Sequence, residues 1–517
     1  MSESGAATST APTALWAPRA WVGKPGAAHG WQHKVLLRID SQGRWSEIST
    51  GVAQPPTDAL VLPGPLLPGL VNAHSHAFQR AFAGMAERRA SPTDDFWSWR
   101  ERMYQVALRI TPAQQQAIAA QLYLELLQGG YTQVCEFHYL QHDPGGRPYA
   151  DPQTMAWSLL AAADDVGLGL TLMPTLYQRA GFTQPDLRDP QRRFASSADG
   201  VWAAAGHIQA VAASRAGPTG ASRPAPLNAG LALHSLRAVA PASLHLLAGL
   251  AERFEGPIHL HIAEQTIEVN DCLAATGARP IAWLAQQGLL DARWQLVHAT
   301  HALPDEISAV ARSGAGVVLC PSTEANLGDG LCDLTGWLQA GVPLSVGSDS
   351  HVCRDWREEL RWLEYGQRLT LRQRNVAAEL VAPDVGDLAA DVAADVAANV
   401  AANVAADGAQ PGNGSTAENL FNRALAGGAA AAGFARWGLT VGARADALLV
   451  DVECPALAGL PAERWLDALV FSSPTRPWAR VMVAGRWVWG RDDWHQDLAA
   501  RTALRFKAAM AELVKPA

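Results

Sequence analysis

Charge is scarce in this 517-residue chain. Only 17% of residues are charged, and 41 Lys and Arg are outnumbered by 49 Asp and Glu, for a formal net charge of −8. With the two signs interspersed there is no basic stripe to track a phosphate backbone, which argues against nucleic-acid binding as the main role. Long apolar runs are also missing, since none approaches the roughly 18 residues that cross a bilayer. The first 20 residues carry neither a basic n-region nor a continuous apolar h-region. The expected compartment is the cytoplasm, with no membrane partner. The six cysteines (Cys135, Cys272, Cys320, Cys332, Cys353 and Cys454) form no CxxC and no cluster. Reduced thiols are therefore expected rather than a disulfide framework.

What is present is a large apolar content, 49% of residues, enough for a sizeable core. At roughly 100–200 residues per domain the length suggests three domains, but an α/β barrel of about 250 to over 400 residues counts as one, so two domains fit equally. Residues 1–14 are rich in Ser, Thr and Ala and are expected to be disordered. Short apolar stretches over residues 15–65, such as 34–39, are separated by Gly, Ser, Pro and Asp and read as short strands. From residue 66 the texture changes to apolar runs alternating with longer Ala/Leu-rich helical segments, the pattern of repeated βα units. Eight such runs stand at 68–76, 132–138, 168–177, 231–236, 258–264, 294–301, 316–322 and 343–350. Eight strands predict a closed (β/α)8 barrel over residues 66–437.

Residues 356–379 read as helix. Beyond them, residues 380–416 form a repeat of about four residues built from Ala, Val, Asp and Asn, expected as a low-complexity surface insert with no chemical role. Alternating segments within 438–495 are expected to complete a small β-sandwich domain built from both chain ends, followed by a C-terminal helix at 496–517.

Candidate chemistry sits at the C-terminal ends of the eight runs, where barrel enzymes place their active sites. His74 and His76 are two residues apart at the end of the first, so on a strand both point to one face and can reach one ion. HxH alone is weak. The fifth run adds His259 and His261 in alternation with Glu264 just beyond, the sixth ends with His298 and His301, and the eighth ends with Asp349 in a Gly347-Ser-Asp-Ser-His351 turn. Histidines and an aspartate recurring at the ends of four of the strands suggest one metal-binding mouth.

This pattern resembles the amidohydrolase superfamily, whose barrels open with a Pro-Gly-apolar-apolar-x-x-HxH segment and end with an aspartate after the eighth strand. The similarity extends over nearly the whole chain apart from the repeat, including residues 442–451 (GARADALLVD). Residues 72–80 (NAHSHAFQR), 136–139 (EFHY), 234–237 (HSLR), 259–264 (HLHIAE) and 348–350 (SDS) resemble the branch that hydrolyses N-formimidoyl-L-glutamate in histidine degradation. The resemblance implies one divalent ion, most simply Zn2+, on His74, His76, His261 and Asp349, a ligand set that suits zinc. It also implies that Asp349 takes a proton from the attacking water, that His298 stabilises the tetrahedral adduct, and that Glu264 carries a proton to the leaving nitrogen. Arg100 and Arg237 would clamp the two substrate carboxylates, with Gln79, Tyr139 and His234 as further polar contacts. Residues 320–327, after the seventh strand, could line the pocket through backbone and Asn326. A homodimer is expected.

Two other readings compete. A deaminase of a guanine-like or triazine-like ring would want aromatic stacking at the mouth and have less need of two arginines. A non-catalytic barrel serving as a scaffold would have lost a ligand, and none is missing here.

Overall fold

The computed structural model describes residues 12–24, 27–89, 94–215, 224–378 and 414–514. The expectations for the N-terminal dozen residues and for the Ala/Val/Asp/Asn repeat lie outside them. Eight parallel strands, Leu70–Ser75, Tyr131–His138, Gly169–Leu176, Leu231–Ser235, Ile258–Ile262, Trp294–His298, Gly316–Leu319 and Leu344–Val346, pair in chain order. Nearly every residue in them is buried, because helices cover the outer face while side chains fill the interior. A short strand, Leu227–Ala229, pairs alongside the third. The barrel closes where the first and eighth strands end: the Asp349 amide donates to the His74 carbonyl at 3.0 Å, in a parallel bridge between Ser75 and Asp349. The seam of the barrel thus joins the backbones of two candidate ligands.

Helix Thr416–Ala431 begins at Ser415, whose hydroxyl accepts from the Glu418 amide, and packs on the first and eighth strands. Its approach needs glycine: a Cβ on Gly427 would lie 2.0 Å from the Leu344 carbonyl oxygen. The last residue of the helix, Ala431, packs with Ala73, Val297, Val318 and Cys320. Its carbonyl accepts from His259 Nε2 at 2.8 Å and from Cys135 Sγ at 3.4 Å. The barrel interior below His261 is filled by this cluster.

The chain ends form the second domain, a mixed sheet over its own core of Leu15, Val35, Leu37, Trp45 and Met482. Strand Leu66–Leu67, just before the barrel, pairs with Ala447–Val450, just after it. The first two strands are longer than the sequence suggests: Ala14–Lys24 and Ala27–Ile39 make one long hairpin. Glycine was expected to break them, but Gly30 stays in the ladder opposite Val22. After residue 356 the helix runs Trp356–Leu371, and the C-terminal helix starts at Asp493, where the Asp492 carboxylate caps it. All six cysteines are free and buried. Among the described residues no helix is long and apolar enough to cross a membrane.

Candidate metal and active site

His74 and His76 project from the first strand into the barrel, His261 from the fifth, and Asp349 from the turn after the eighth. His76 Nδ1 donates to the Phe137 carbonyl at 3.0 Å and His261 Nδ1 to the His234 carbonyl at 2.7 Å. Each bond fixes the tautomer and turns the Nε2 lone pair into the barrel. There His74 Nε2 lies 3.1 Å from His76 Nε2 and 2.9 Å from His261 Nε2, and Asp349 Oδ1 stands 3.4 Å from both His74 and His76 Nε2. Lone pairs facing one another make no useful bonds. The spacings match the edges of a tetrahedron of ligands about a divalent ion, about 3.3 Å for bonds of 2.0–2.1 Å. Burial holds the His74, His76 and His261 imidazoles below their ordinary pKa, so they stay neutral and able to ligate. Three imidazoles and one carboxylate, all buried and converging, fit zinc.

His259 faces the same interior but lies deeper, with Nε2 committed to Ala431, so it is not part of this set. His301 lies outside it too.

Five non-glycine residues at the strand ends around this set adopt left-handed backbone: Ala263, His298, Ala299, Asp349 and His351, with φ between 42° and 69°. Such conformations cost about 1–3 kcal/mol each and persist only where the surroundings over-determine them. At Asp349 and His351 a closed network does so. Asn72 Nδ2 donates to Ser348 Oγ at 2.7 Å, and the Ser348 amide donates to Asn72 Oδ1 at 2.9 Å. His351 bridges Ser348 Oγ and Ser75 Oγ, and Ser75 donates to Glu136, which also accepts from the Ala77 amide at 2.6 Å. The strand carrying HxH and the turn carrying Asp349 are thereby held in register. Close approach adds a further constraint: a Cβ on Gly347 would meet His74 Cβ at 2.6 Å and His74 N at 2.9 Å. Gly347→Ala is expected to fold but to bind a divalent ion roughly ten- to hundredfold more weakly, the size of effect typical of disturbing a ligand's support. Competition with a chelator measures this, and unchanged affinity would show that the turn can yield.

Beside the ligand set, His298 is surrounded by carboxylates: Glu324 at 3.3 Å from Nδ1, Glu264 at 3.7 Å and Asp349 at 3.9 Å from Nε2. Burial alone would push this imidazole down, but Glu264, Glu324 and Asp349 together raise it to about 10. Burial raises the Glu264 carboxyl to about 7 against the pull of His298. Asp329 is a further acid here, buried, with one oxygen accepting from Gln265 and the other unpartnered. Burial and then Glu264 push it up to about 10. Sequence reasoning missed Glu324, Asp329, His351 and Glu136. Segment 320–327 is helical from Pro321, and its contribution is Glu324, which fixes His298, together with Leu327 on the cavity wall. Asn326 does not line the pocket: it is exposed and bonds Glu87 at 3.0 Å.

A small cavity of about 50 Å3 opens above the ligand set. Its walls include His76, Gln79, Arg100, Tyr139, His234, Arg237, His261, Glu264, His298 and Asp349, while His74 is buried beneath. Arg100 comes from helix Phe96–Ala107, started by the Asp95 capping box, and Arg237 from the loop after the fourth strand. Gln79 Nε2 donates to the Tyr139 hydroxyl at 3.2 Å, leaving Gln79 Oε1 unpartnered. Arg100 Nε and Arg237 Nη1 are also buried without acceptors. Arg100 has only a 3.4 Å contact with Glu101, and Arg237 has no carboxylate within ion-pair distance among the described residues. Buried cationic donors without acceptors are costly to leave so, and they point to an anionic ligand.

Comparison with known proteins gives the same picture. The chain is 42% identical over 485 residues, 94% of its length and 97% of the relative's, to a formimidoylglutamate deiminase of Pseudomonas aeruginosa. It is 28% identical to an 8-oxoguanine deaminase of the same organism, covering 62% of this chain and 67% of that one. Among solved structures, an amidohydrolase from Brucella melitensis superposes with a TM-score of 0.82 at 37% identity, covering 97% of this chain and all of that one. The model of the amidohydrolase family matches residues 66–488, which span the barrel and return into the small domain. With a metal-type ligand set at the mouth of such a barrel, the chain belongs to the amidohydrolase family.

Proposed function

We propose that this protein is a zinc-dependent hydrolase that converts N-formimidoyl-L-glutamate and water to N-formyl-L-glutamate and ammonia. The observation that carries this reading is the pair of acceptor-free arginines, Arg100 and Arg237, in one cavity with the His74, His76, His261 and Asp349 set. A dicarboxylate amidine satisfies both halves of that cavity, and the 42% identical relative is named for this substrate.

His74, His76, His261 and Asp349 would hold a divalent ion, whose chemistry would be to make a water nucleophilic near neutral pH and to polarise the amidine. Arg100 and Arg237 bind the two carboxylates through paired N–H donors and aim the formimino carbon at the ligand set. Gln79, Tyr139 and His234 line the space between. Asp349 accepts the proton lost by the attacking oxygen. His298, held as imidazolium by its carboxylate neighbours, donates a hydrogen bond to that oxygen as the carbon becomes tetrahedral. Glu264, close to His298 and poised near neutrality, gives its proton to the imino nitrogen; the proton held on Asp349 then reaches the resulting amine while the adduct's hydroxyl proton passes to Glu264, so that the formyl C=O forms as ammonia leaves and both carboxyls are restored.

Purified, zinc-loaded protein is expected to release one ammonia per N-formyl-L-glutamate formed and to leave guanine and 8-oxoguanine untouched. Turnover of the purines in preference would replace this reading with the ring-deaminase one. Metal analysis should find about one zinc per chain.

The acid role of Glu264 has a pH signature. A carboxyl raised to about 7 is mostly protonated below that pH and loses its proton above it, so kcat/KM should fall about tenfold per pH unit on the alkaline side. In Glu264→Gln that limb should vanish along with most of the rate. A limb that persists unchanged in the variant would assign it to another group.

A further inference from the structure

Trp97 carries no polar function in the cavity and does not form part of its wall, yet it touches both arginines. The Arg100 guanidinium carbon lies 4.4 Å from its ring centroid and that of Arg237 5.2 Å from it. The two cations are therefore no farther apart than these two distances taken together, in a partly buried place where they repel each other. Among the described residues Trp97 is the one ring that lies under both guanidiniums, with the Tyr177 hydroxyl also within electrostatic reach of both. Arg237 has no ion-pair partner, and the Glu101 paired with Arg100 is shared with Arg188 at 2.7 Å. An indole presents a negative π-face, which attracts guanidinium and orients it without consuming its N–H donors. That is the state observed: Arg100 Nε and Arg237 Nη1 are buried and still without acceptors.

Local structure explains the placement. Trp97 and Arg100 are three residues apart on helix Phe96–Ala107 and so share one face, with Tyr104 on the other side of Arg100 at 5.6 Å. Arg237 arrives from the loop after the fourth strand. Trp97 is thus the point where two separate elements, each bringing one cation, are set against a common plate.

On the reading that this site takes a dicarboxylate amidine, we infer that Trp97 is a positioning residue that sets the distance between the two guanidiniums and thereby selects the carboxylate-to-carboxylate span of glutamate over that of the shorter aspartate homologue. A methylene changes that span by roughly an ångström, and misplacement of that size costs about a hundredfold in a preorganised site.

The test uses zinc-loaded full-length protein, comparing Trp97→Leu and Trp97→Phe with wild type. The substrates are N-formimidoyl-L-glutamate, N-formimidoyl-L-aspartate and a formimidoyl alkylamine without carboxylates. Trp97→Leu is expected to raise KM for the glutamate compound by about 10- to 100-fold with kcat within about threefold, and to shrink the glutamate-to-aspartate preference by a similar factor. It should leave the alkylamine rate unchanged. Trp97→Phe, which keeps an aromatic face, should recover most of the preference. Equal losses on all three compounds, or a preference unchanged in Trp97→Leu, would overturn the inference. Calorimetric binding of glutarate to zinc-loaded protein provides a readout independent of turnover and separates the two readings. Failure of wild type to bind it would reject the dicarboxylate site itself, whereas equal binding by wild type and Trp97→Leu would reject only the role of Trp97. Should Trp97→Leu not fold, Trp97→Phe and Trp97→Tyr must rank below wild type in preference for the inference to stand.

Discussion

His76→Ala and Asp349→Ala proteins are expected to fold, to purify with little zinc, and to turn over N-formimidoyl-L-glutamate at least about a thousandfold more slowly. The ion is asked to supply several kcal/mol of stabilisation to the developing charge, and at about 1.4 kcal/mol per tenfold this is three orders of magnitude or more. Retained folding is expected because both side chains lie at the mouth and not in the apolar layers that hold the strands together. Asp349→Ala should be the more severe of the two in rate, since the same carboxylate also takes the proton of the attacking oxygen. Circular dichroism, metal analysis and single-turnover rates together check the expectation. Full zinc content and full rate in either variant would dismantle the ligand set.

The second large effect concerns recognition. Arg237→Met and Arg100→Met each remove a guanidinium while keeping apolar bulk, and each leaves one substrate carboxylate unpaired in a partly desolvated cavity. Such a loss costs about 2–5 kcal/mol, so kcat/KM on N-formimidoyl-L-glutamate should fall by roughly two to three orders of magnitude. Arg237 should matter more, because it is the more buried of the two and has no protein carboxylate to share its charge. Zinc should remain bound. A formimidoyl compound without carboxylates should lose far less, since Asp349, Glu264 and His298 are untouched. Equal losses on both compounds would make the arginines supports of the barrel and favour a neutral ring as substrate.

Where the sequence could be read, it was through local periodicity. Two histidines at i and i+2 on a strand must share a face, and His74 and His76 do so with Nε2 atoms 3.1 Å apart. The eight apolar runs were visible because strands covered on both faces leave no polar alternation to confuse them with loops. The residues missed have no local signature. Glu324 lies on a helix, Asp329 follows a glycine in a loop, and Glu136 sits mid-strand; each acquires meaning only when the barrel folds it against His298, Glu264 or Ser75. Asn326 was misjudged for the same reason. A two-turn helix, Pro321–Leu327, places it opposite Glu324, so one side chain turns inward and the other meets solvent. The left-handed backbone at Ala263, Ala299 and His351 is equally silent, because neither alanine nor histidine announces such a conformation.

The plug formed by Ala431 beneath the ligand set has a traffic consequence. With Ala73, Val297, Val318 and Cys320 closing the interior, the barrel is a blind well. On the proposed reading, substrate, water and both products would share the doorway opposite that plug. On the same reading, the nitrogen released next to Glu264 would lie toward the bottom of that well, and the dicarboxylate product, held by Arg100 and Arg237, would stand over it. N-formyl-L-glutamate should therefore leave first and ammonia second. Product-inhibition kinetics can check this order, with ammonia competitive against the amidine and the formyl product noncompetitive; the opposite pattern would require a second exit.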